Sequence, residues 1–371
     1  MRNLLAESFA ILRPAFPPAL FTPAATQRLW QTAPILAPTR LVGFECRLAA
    51  EDEQVDIQQS VSAQAGEGAV LLEHIEGLRA TASTPLPSAW QRLEAFCYAW
   101  SGSDAERYQG IDEILLEYDA VEPIPEIPVP SIFLGLQGRS GMPPYRTTEK
   151  ALALLAGQSL PVDLLRNLQH CFEAVPEAGC ICHAGLMLAR PTDAVRVNVY
   201  NLSLPQACAY LEAVAWPGAI DAVKMGAVEP ILAPWFALAD EVRICLDVGS
   251  RIYPTLGLEC FLEEGPDVLH RWASLLDALV AHHACAPAKR DALLAWPGYT
   301  SPLETTLPWP TALLARALTQ PPHRLGVLAR RLNHVKVSYR PQEALPAKAY
   351  LLCCHAWLEP QLYPRNEDDP R

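Results

Sequence analysis

The chain lacks a basic surplus: 29 Lys and Arg stand against 41 Asp and Glu, a net charge of -12 over 371 residues. That excludes a nucleic-acid-binding exterior, whose phosphate contacts demand a basic footprint. It leaves the sign of any interior cavity open. Long apolar runs are missing too. No segment reaches the roughly 18 consecutive apolar residues of a membrane span. At the N-terminus the short runs Leu4 to Ala6 and Phe9 to Leu12 are broken by Glu7 and Ser8, so no secretory leader is read there. Phosphate-binding G-x-x-x-x-G-K-[ST], dinucleotide-binding G-x-G-x-x-G, nucleophile-elbow G-x-S-x-G and zinc-protease H-E-x-x-H motifs do not occur. With half of its residues hydrophobic and 19% charged, the chain is too apolar for disorder. Its 11 cysteines are an odd number and sit mostly in apolar stretches, which reads as reduced core thiols in a cytoplasmic protein. The 35 prolines fall largely between periodic segments, as punctuation in a loop-rich fold.

What is present is an alternation. Five strand pairs are read from period-two patterning and β-branched residues: Arg40–Ala49 with Gln54–Ser62, Glu113–Asp119 with Pro130–Leu136, Ile181–Arg190 with Ala194–Asn201, Glu241–Val248 with Tyr253–Leu262, and His334–Arg340 with Ala347–Trp357. Helical periodicity occupies the intervals, at Trp90–Trp100, Thr148–Leu155, Val162–Val175, Leu204–Ala215, Ala219–Leu232, Pro266–His283, Ala288–Ala295 and Leu313–Thr319. The pairs begin near positions 41, 112, 181, 241 and 334 without sequence identity between units, so the repetition is architectural. Hairpins joined through helix pairs are antiparallel neighbours. Five of them make about ten strands, which avoid exposed edges by closing. The expected fold is α+β: a roughly ten-stranded antiparallel barrel ringed by helices, one domain over residues 1–360 with a polar tail at 361–371.

The strands alternate in a way that says what faces inward. Val195, Val197 and Val199 share one face, and Arg196, Asn198 and Tyr200 the other. Val242, Ile244, Leu246 and Val248 oppose Arg243, Cys245 and Asp247. Val335, Val337 and Tyr339 oppose His334, Lys336, Ser338 and Arg340. An aliphatic face packed on helices turns the polar face into the barrel, where it requires water or a ligand. The interior is thus expected to carry Arg196, Arg243, Lys336 and Arg340, joined by Arg47, Lys348 and Tyr350. Cations with Tyr and Asn donors suit a phosphate or diphosphate.

This ααββ repeat resembles the ABBA-type aromatic prenyltransferases, including the cyanobactin-type peptide prenyltransferases. Phe44-Glu45-Cys46-Arg47 resembles the family strand that bears a catalytic glutamate. Arg196-Val197-Asn198-Val199-Tyr200 resembles a basic-x-basic-x-Tyr strand in which Asn198 replaces the middle cation. His334-Val335-Lys336-Val337-Ser338-Tyr339 resembles a later strand of that kind, with Tyr339 on the face opposite Lys336. The resemblance implies transfer of an isoprenoid from an allylic diphosphate to an aromatic small molecule or peptide side chain. It implies a diphosphate held by Arg47, Arg196, Asn198, Arg243, Lys336 and Arg340. Tyr200, Tyr350, Phe133 and Phe261 would line the cavity and shield the allylic cation. Glu45 or Glu117 would accept the proton, with Glu259 a third candidate. No metal cofactor is required by this reading, although magnesium is compatible with it. No D-D-x-x-D motif occurs in the body of the chain, which argues against a magnesium-cluster terpene synthase. The rival reading is a non-catalytic barrel that binds a peptide or small ligand in a natural-product pathway.

Other signals carry less. Cys180-x-Cys182-His183 and Cys353-Cys354-His355 have metal-ligand residue types, but adjacent strand residues point to opposite faces, so they read as buried or cavity-lining groups. Trp90, Trp100, Trp216 and Trp272 read as core packing. Gly135-x-x-Gly138-x-x-Gly141 reads as a loop.

Overall fold

The computed structural model describes residues 4–102, 105–137, 145–218, 228–318, 320–321, 324–340 and 345–359. Within them the helix–helix–strand–strand order repeats five times. Helices α1 (Leu4–Leu12) and α2 (Pro23–Thr32) precede strands β1 (Leu41–Arg47) and β2 (Val55–Ser62). Helices α3 (Glu67–Thr81) and α4 (Ser88–Ser101) precede β3 (Ile111–Tyr118) and β4 (Ser131–Leu136). Helices α5 (Tyr145–Ala156) and α6 (Val162–Glu173) precede β5 (Cys180–Leu186) and β6 (Val195–Tyr200). Helices α7 (Leu204–Ala213) and α8 (Glu229–Leu238) precede β7 (Glu241–Val248) and β8 (Ile252–Phe261). The last unit holds α9 (Val268–Ala281), α10 (Pro287–Leu294), a short β9 (Gly298–Thr300), α11 (Thr311–Ala317), β10 (Leu325–Tyr339) and β11 (Ala347–Leu358).

Strands β1 to β8 pair in sequence order, β8 pairs with β10, and β10 with β11. Because β11 also pairs with β1, the sheet closes into a ten-stranded antiparallel barrel, with β9 added against β10. Local chemistry supports the helix starts. The Thr22 side chain accepts from the Ala25 amide at α2, and Ser203 and Gln206 form a capping box at α7.

The outward faces are those expected from alternation. Val195, Val197, Val199, Ile244, Leu246, Val248, Val335 and Val337 are completely buried between barrel and helices. Trp90, Trp100, Trp216 and Trp272 lie in the same core. Where the ring closes, Phe9, Phe16, Phe21, Phe44 and Trp296 form a cluster, with Phe16 and Phe21 stacked at 4.4 Å. The Trp296 indole N–H donates to the Arg331 carbonyl at 3.1 Å, tying the cluster to β10. Lys289 on α10 donates to the carbonyls of Arg47, Ala49 and Asp52, fastening the turn after β1.

Several elements differ from the sequence reading. Strand β10 starts at Leu325 rather than His334, because its first half is paired to β9 and to the end of β11, outside the alternating stretch. Strand β5 ends at Leu186 instead of running to Arg190. Helices α1, α2 and α3 were not expected. Gly68 and Gly77 dilute the helical signal of α3. Gly135 lies in β4, not in a loop. Gly138, Gly141, part of the expected Ala219–Leu232 helix and the 361–371 tail fall outside the described residues. Among the described residues no helix is long and apolar enough to cross a membrane.

Glycines on the inward face give long side chains room to lie flat. A Cβ on Gly185 would stand 2.2 Å from the Phe133 ring and 2.7 Å from the Ile132 carbonyl oxygen. We therefore expect Gly185→Ala to destabilise the protein by about 1–3 kcal/mol through overpacking, measured by urea unfolding. An unchanged midpoint would mean that the Phe133 ring is not held across this position.

Candidate active site

Inside the barrel lies a cavity of about 250 Å³. Its wall includes Arg196, Asn198, Arg243, Lys336, Glu117, Glu259, Phe133, Phe261 and Tyr350, all expected from the sequence, together with Glu113, His183 and His334. The antiparallel register explains why they meet. Directly opposed side chains on one face stand about 4.5–5.5 Å apart, and Phe261 opposes His334, His334 opposes Tyr350, and Tyr350 opposes Glu45. Three rings are consequently stacked, Phe261 on His334 at 4.5 Å and His334 on Tyr350 at 4.0 Å. The Arg243 guanidinium lies over the outer face of Phe261, 4.0 Å from the ring centre.

The same register pairs the charges. Arg196 opposes Asp247 and donates to it through Nε at 2.8 Å and Nη2 at 3.0 Å. Lys336 opposes Glu259 and donates to it at 2.9 Å, and Asn198 donates to both oxygens of the same carboxylate. Arg243 donates to Glu241 at 2.6 Å. The interior expected to be basic is therefore one of ion pairs, since each cation on the cavity wall has a carboxylate within a strand or two.

Five expected residues stand apart from the cavity wall: Glu45 and Lys348, which bond to each other, and Arg47, Arg340 and Tyr200. Arg47 donates to Glu45 and Asp56 deeper in the barrel. Arg340 is exposed just past the end of β10 and donates to Thr255 at 3.1 Å. Tyr200 is half-buried beside Arg243, 5.6 Å from its guanidinium.

The three carboxylates proposed as proton acceptors have different surroundings. Glu45 accepts from Arg47, from Lys348 at 2.7 Å and from the Tyr350 hydroxyl. Burial opposes its charge, but the Lys348 and Arg47 charges and these hydrogen bonds outweigh burial and hold it well below the usual carboxylate range. Glu259 is held low against burial in the same way, chiefly by Lys336. Glu117 differs. Its one hydrogen bond among the described residues comes from the Gln58 amide at 3.0 Å. Burial and the nearby Glu45 charge push it up to about 7, against the smaller pull of Arg196, Lys336 and Lys348. It can take up or release a proton near neutral pH.

His334 was placed on the polar face by its alternation but not singled out as a site residue. Only the register, which brings rings together on three neighbouring strands, reveals it. Asn333 donates to its Nδ1 at 2.9 Å, so Nε2 carries the hydrogen. Burial drives its pKa down to about 3, and the ring is neutral. Cys182 and His183 are closer than strict alternation allows, with Sγ 3.6 Å from Nδ1, because a bulge interrupts β5 between Ile181 and His183. Among the described residues no group of three or more His, Cys, Asp or Glu side chains is arranged to hold a metal ion.

No family model and no curated protein sequence matches the chain. Solved structures do. The chain is similar to 5-dimethylallyltryptophan synthase from Streptomyces coelicolor, with a TM-score of 0.53 and 14% identity, over 94% of this chain and 97% of that one. It is similar to AnaPT from Neosartorya fischeri, with a TM-score of 0.55 and 12% identity, over 94% and 93%. The apo form of the prenyltransferase PriB gives a TM-score of 0.51 and 13% identity over 98% of each chain. The barrel with its helical ring is thus the fold of the aromatic prenyltransferases.

Glu117 generates a pH prediction. A carboxyl group raised to about 7 in the folded state, against roughly 4.3 in an unfolded chain, destabilises the fold as pH rises through that interval, and fully above it. Glu117→Gln keeps an acceptor for Gln58 and removes the charge. Relative to wild type it is expected to gain on the order of 2 kcal/mol between pH 5 and pH 8, read by denaturant unfolding at both values. Parallel pH profiles for the two proteins would remove Glu117 as the titrating group.

Proposed function

We propose that this chain is an aromatic prenyltransferase, transferring an isoprenoid from an allylic diphosphate to an aromatic small molecule or peptide side chain. The observation that carries the reading is the convergence, in one cavity of this fold, of Arg196, Arg243 and Lys336, an aromatic wall and a carboxyl group poised near neutrality. The solved 5-dimethylallyltryptophan synthase similar to this chain is described in complex with DMASPP and Trp, which supports the choice of co-substrates.

In this mechanism the C–O bond of the allylic diphosphate breaks and the diphosphate leaves with the electron pair. Arginine retains donors for it even while ion-paired. Of the five guanidinium N–H groups, among the described residues Arg196 gives Asp247 one from Nε and one from Nη2, and Arg243 gives Glu241 its Nε–H. Phe261 and Tyr350, stacked about His334, keep water from the allylic cation. A ring carbon of the acceptor attacks the cation to form the new C–C bond, and Glu117 takes the proton that leaves that carbon. Glu45, already saturated by Lys348, Arg47 and Tyr350, is assigned the holding of Tyr350. The free thiols of the chain suit a reducing compartment, and the cytoplasm is the proposed location.

One observation favours a second reading, a barrel that binds a ligand without transferring a group. Each cation lining the cavity is already neutralised by a carboxylate. Calorimetry with dimethylallyl and geranyl thiolodiphosphates separates the two. Transfer predicts micromolar binding that Arg196→Ala weakens about tenfold or more, about 1.4 kcal/mol. With an accepted acceptor, Glu117→Gln should lower turnover about 100-fold or more and leave thiolodiphosphate affinity nearly unchanged. Failure of the folded wild type to bind either analogue would sink the transferase reading.

A further inference from the structure

Glu117 faces a second space besides the cavity. Toward the opposite end of the barrel lies a void of about 10 Å³, room for one water molecule. Gln58, Glu117 and Tyr350 line both spaces and form the partition between them. The cavity extends to Leu41, the first residue of β1. The void extends to Asp119, which follows the last residue of β3, and to Arg190, beyond the end of β5. In the antiparallel ladder the start of β1 and the end of β3 lie at opposite ends of the barrel.

The carboxyl groups around the void differ in their freedom. Glu45 is bonded to Arg47, Lys348 and Tyr350. Asp56 accepts from Arg47 at 2.8 Å, from Gln54 at 2.9 Å and from the Ala120 amide at 3.0 Å. Both are buried. Asp119 stands at the rim, with its side chain 19% exposed, and Arg190, 33% exposed, donates to it from Nε at 2.9 Å and from Nη2 at 2.5 Å. Glu117 and Asp119 are two residues apart, about 7 Å along an extended chain, and both face the void. One water with two hydrogen bonds of about 2.8 Å spans the gap between such carboxyl groups. The charges that act on Glu117 from other strands are Glu45, Arg196, Lys336 and Lys348. Three of these are cations and Glu45 is saturated, so none of them accepts its proton.

We propose that the proton taken up by Glu117 leaves through the far end of the barrel, by way of the void and Asp119, and not past the ligands in the cavity. This rests on the reading of Glu117 as proton acceptor given above. The neutral carboxyl gives its proton to a water in the void. That water gives one to the Asp119 carboxylate, and Asp119 releases it to solvent. Glu117 returns to the carboxylate and no other bond changes. Asp119 touches no reacting atom, and its part is to carry the proton away. A site that must keep water from an allylic cation can in this way discharge its base while the cavity stays closed.

The test follows the carboxyl C=O stretch of Glu117 by time-resolved infrared spectroscopy after a pH jump from 5 to 8 on the full chain, with Glu117→Gln identifying the band. Asp119→Asn keeps an acceptor for Arg190 but takes up no proton. It is expected to slow loss of the band about tenfold or more, and millimolar formate should restore the wild-type rate. Asp119→Leu combined with Arg190→Leu removes both charges together, so neither is left unpaired, and should slow the loss as much. Dimethylallyl thiolodiphosphate should leave the wild-type rate unchanged. Wild-type rates in both variants, slowing that formate does not relieve, slowing of wild type by the thiolodiphosphate, or absence of a Glu117 band at pH 5 overturns the route. If the analogue does not bind, the transferase reading fails while the two variants still decide the route.

Discussion

The structure depends on the pairing of β11 with both β10 and β1. Nothing local forces the last strand of the chain against the first, since their contact spans some three hundred residues and its entropic cost must be met by the seam itself. The seam is correspondingly reinforced. Outside, the Phe9, Phe16, Phe21, Phe44 and Trp296 cluster covers it and reaches β10 through the Trp296 indole. Inside, Glu45 on β1 binds Lys348 and Tyr350 on β11. The second contact is as much a latch as a site feature, which is why this glutamate is so fully bonded.

Closure also decides the interior's electrostatics. Once the sheet shuts, inward side chains lose bulk water, and a charge there is tolerated only when paired and hydrogen-bonded. The antiparallel register supplies partners directly across the ladder, Arg196 with Asp247 and Lys336 with Glu259. Removing one member of such a pair typically costs about 3–5 kcal/mol, because the other is left alone. The ion pairs thus keep the barrel intact before they do anything for a ligand. Glu113 and Glu117 on the same wall are held otherwise: among the described residues their hydrogen bonds come from the neutral Ser60 and Gln58 side chains on β2.

This division explains how much the sequence could reveal. Period two in Val195–Tyr200 and Glu241–Val248 told which face turned inward, because alternation is a property of one strand. Which inward residues touch is a property of two strands and their register. Arg196, Arg243 and Lys336 were legible as interior, but their neutralisation by Asp247, Glu241 and Glu259 was not, and neither was the Phe261–His334–Tyr350 stack. The early part of β10 was missed because its partners β9 and the end of β11 leave it half exposed, without clean alternation. Arg340 carries the right parity yet lies beyond the last ladder pair, where parity no longer fixes direction.

Glu45 and Glu117 show how one lumen makes two kinds of carboxyl group. Both are enclosed, and desolvation raises both. Glu45 stands between two cations and a phenol, which overcome that penalty, so it stays charged and inert toward protons. Glu117 shares only Lys348 with it, feels the smaller pull of Arg196 and Lys336, and has Glu45 as a like charge, so desolvation wins and its affinity for a proton rises to about neutrality. The ionisation of Glu45 is therefore part of what makes Glu117 basic. Where two titratable groups are driven apart in this way, the one moved toward neutrality is the one suited to exchange a proton with a ligand, and the one moved away is suited to hold its surroundings. In this barrel the second is the group that latches the seam, so the chemistry of the cavity and the closure of the sheet rest on the same charge.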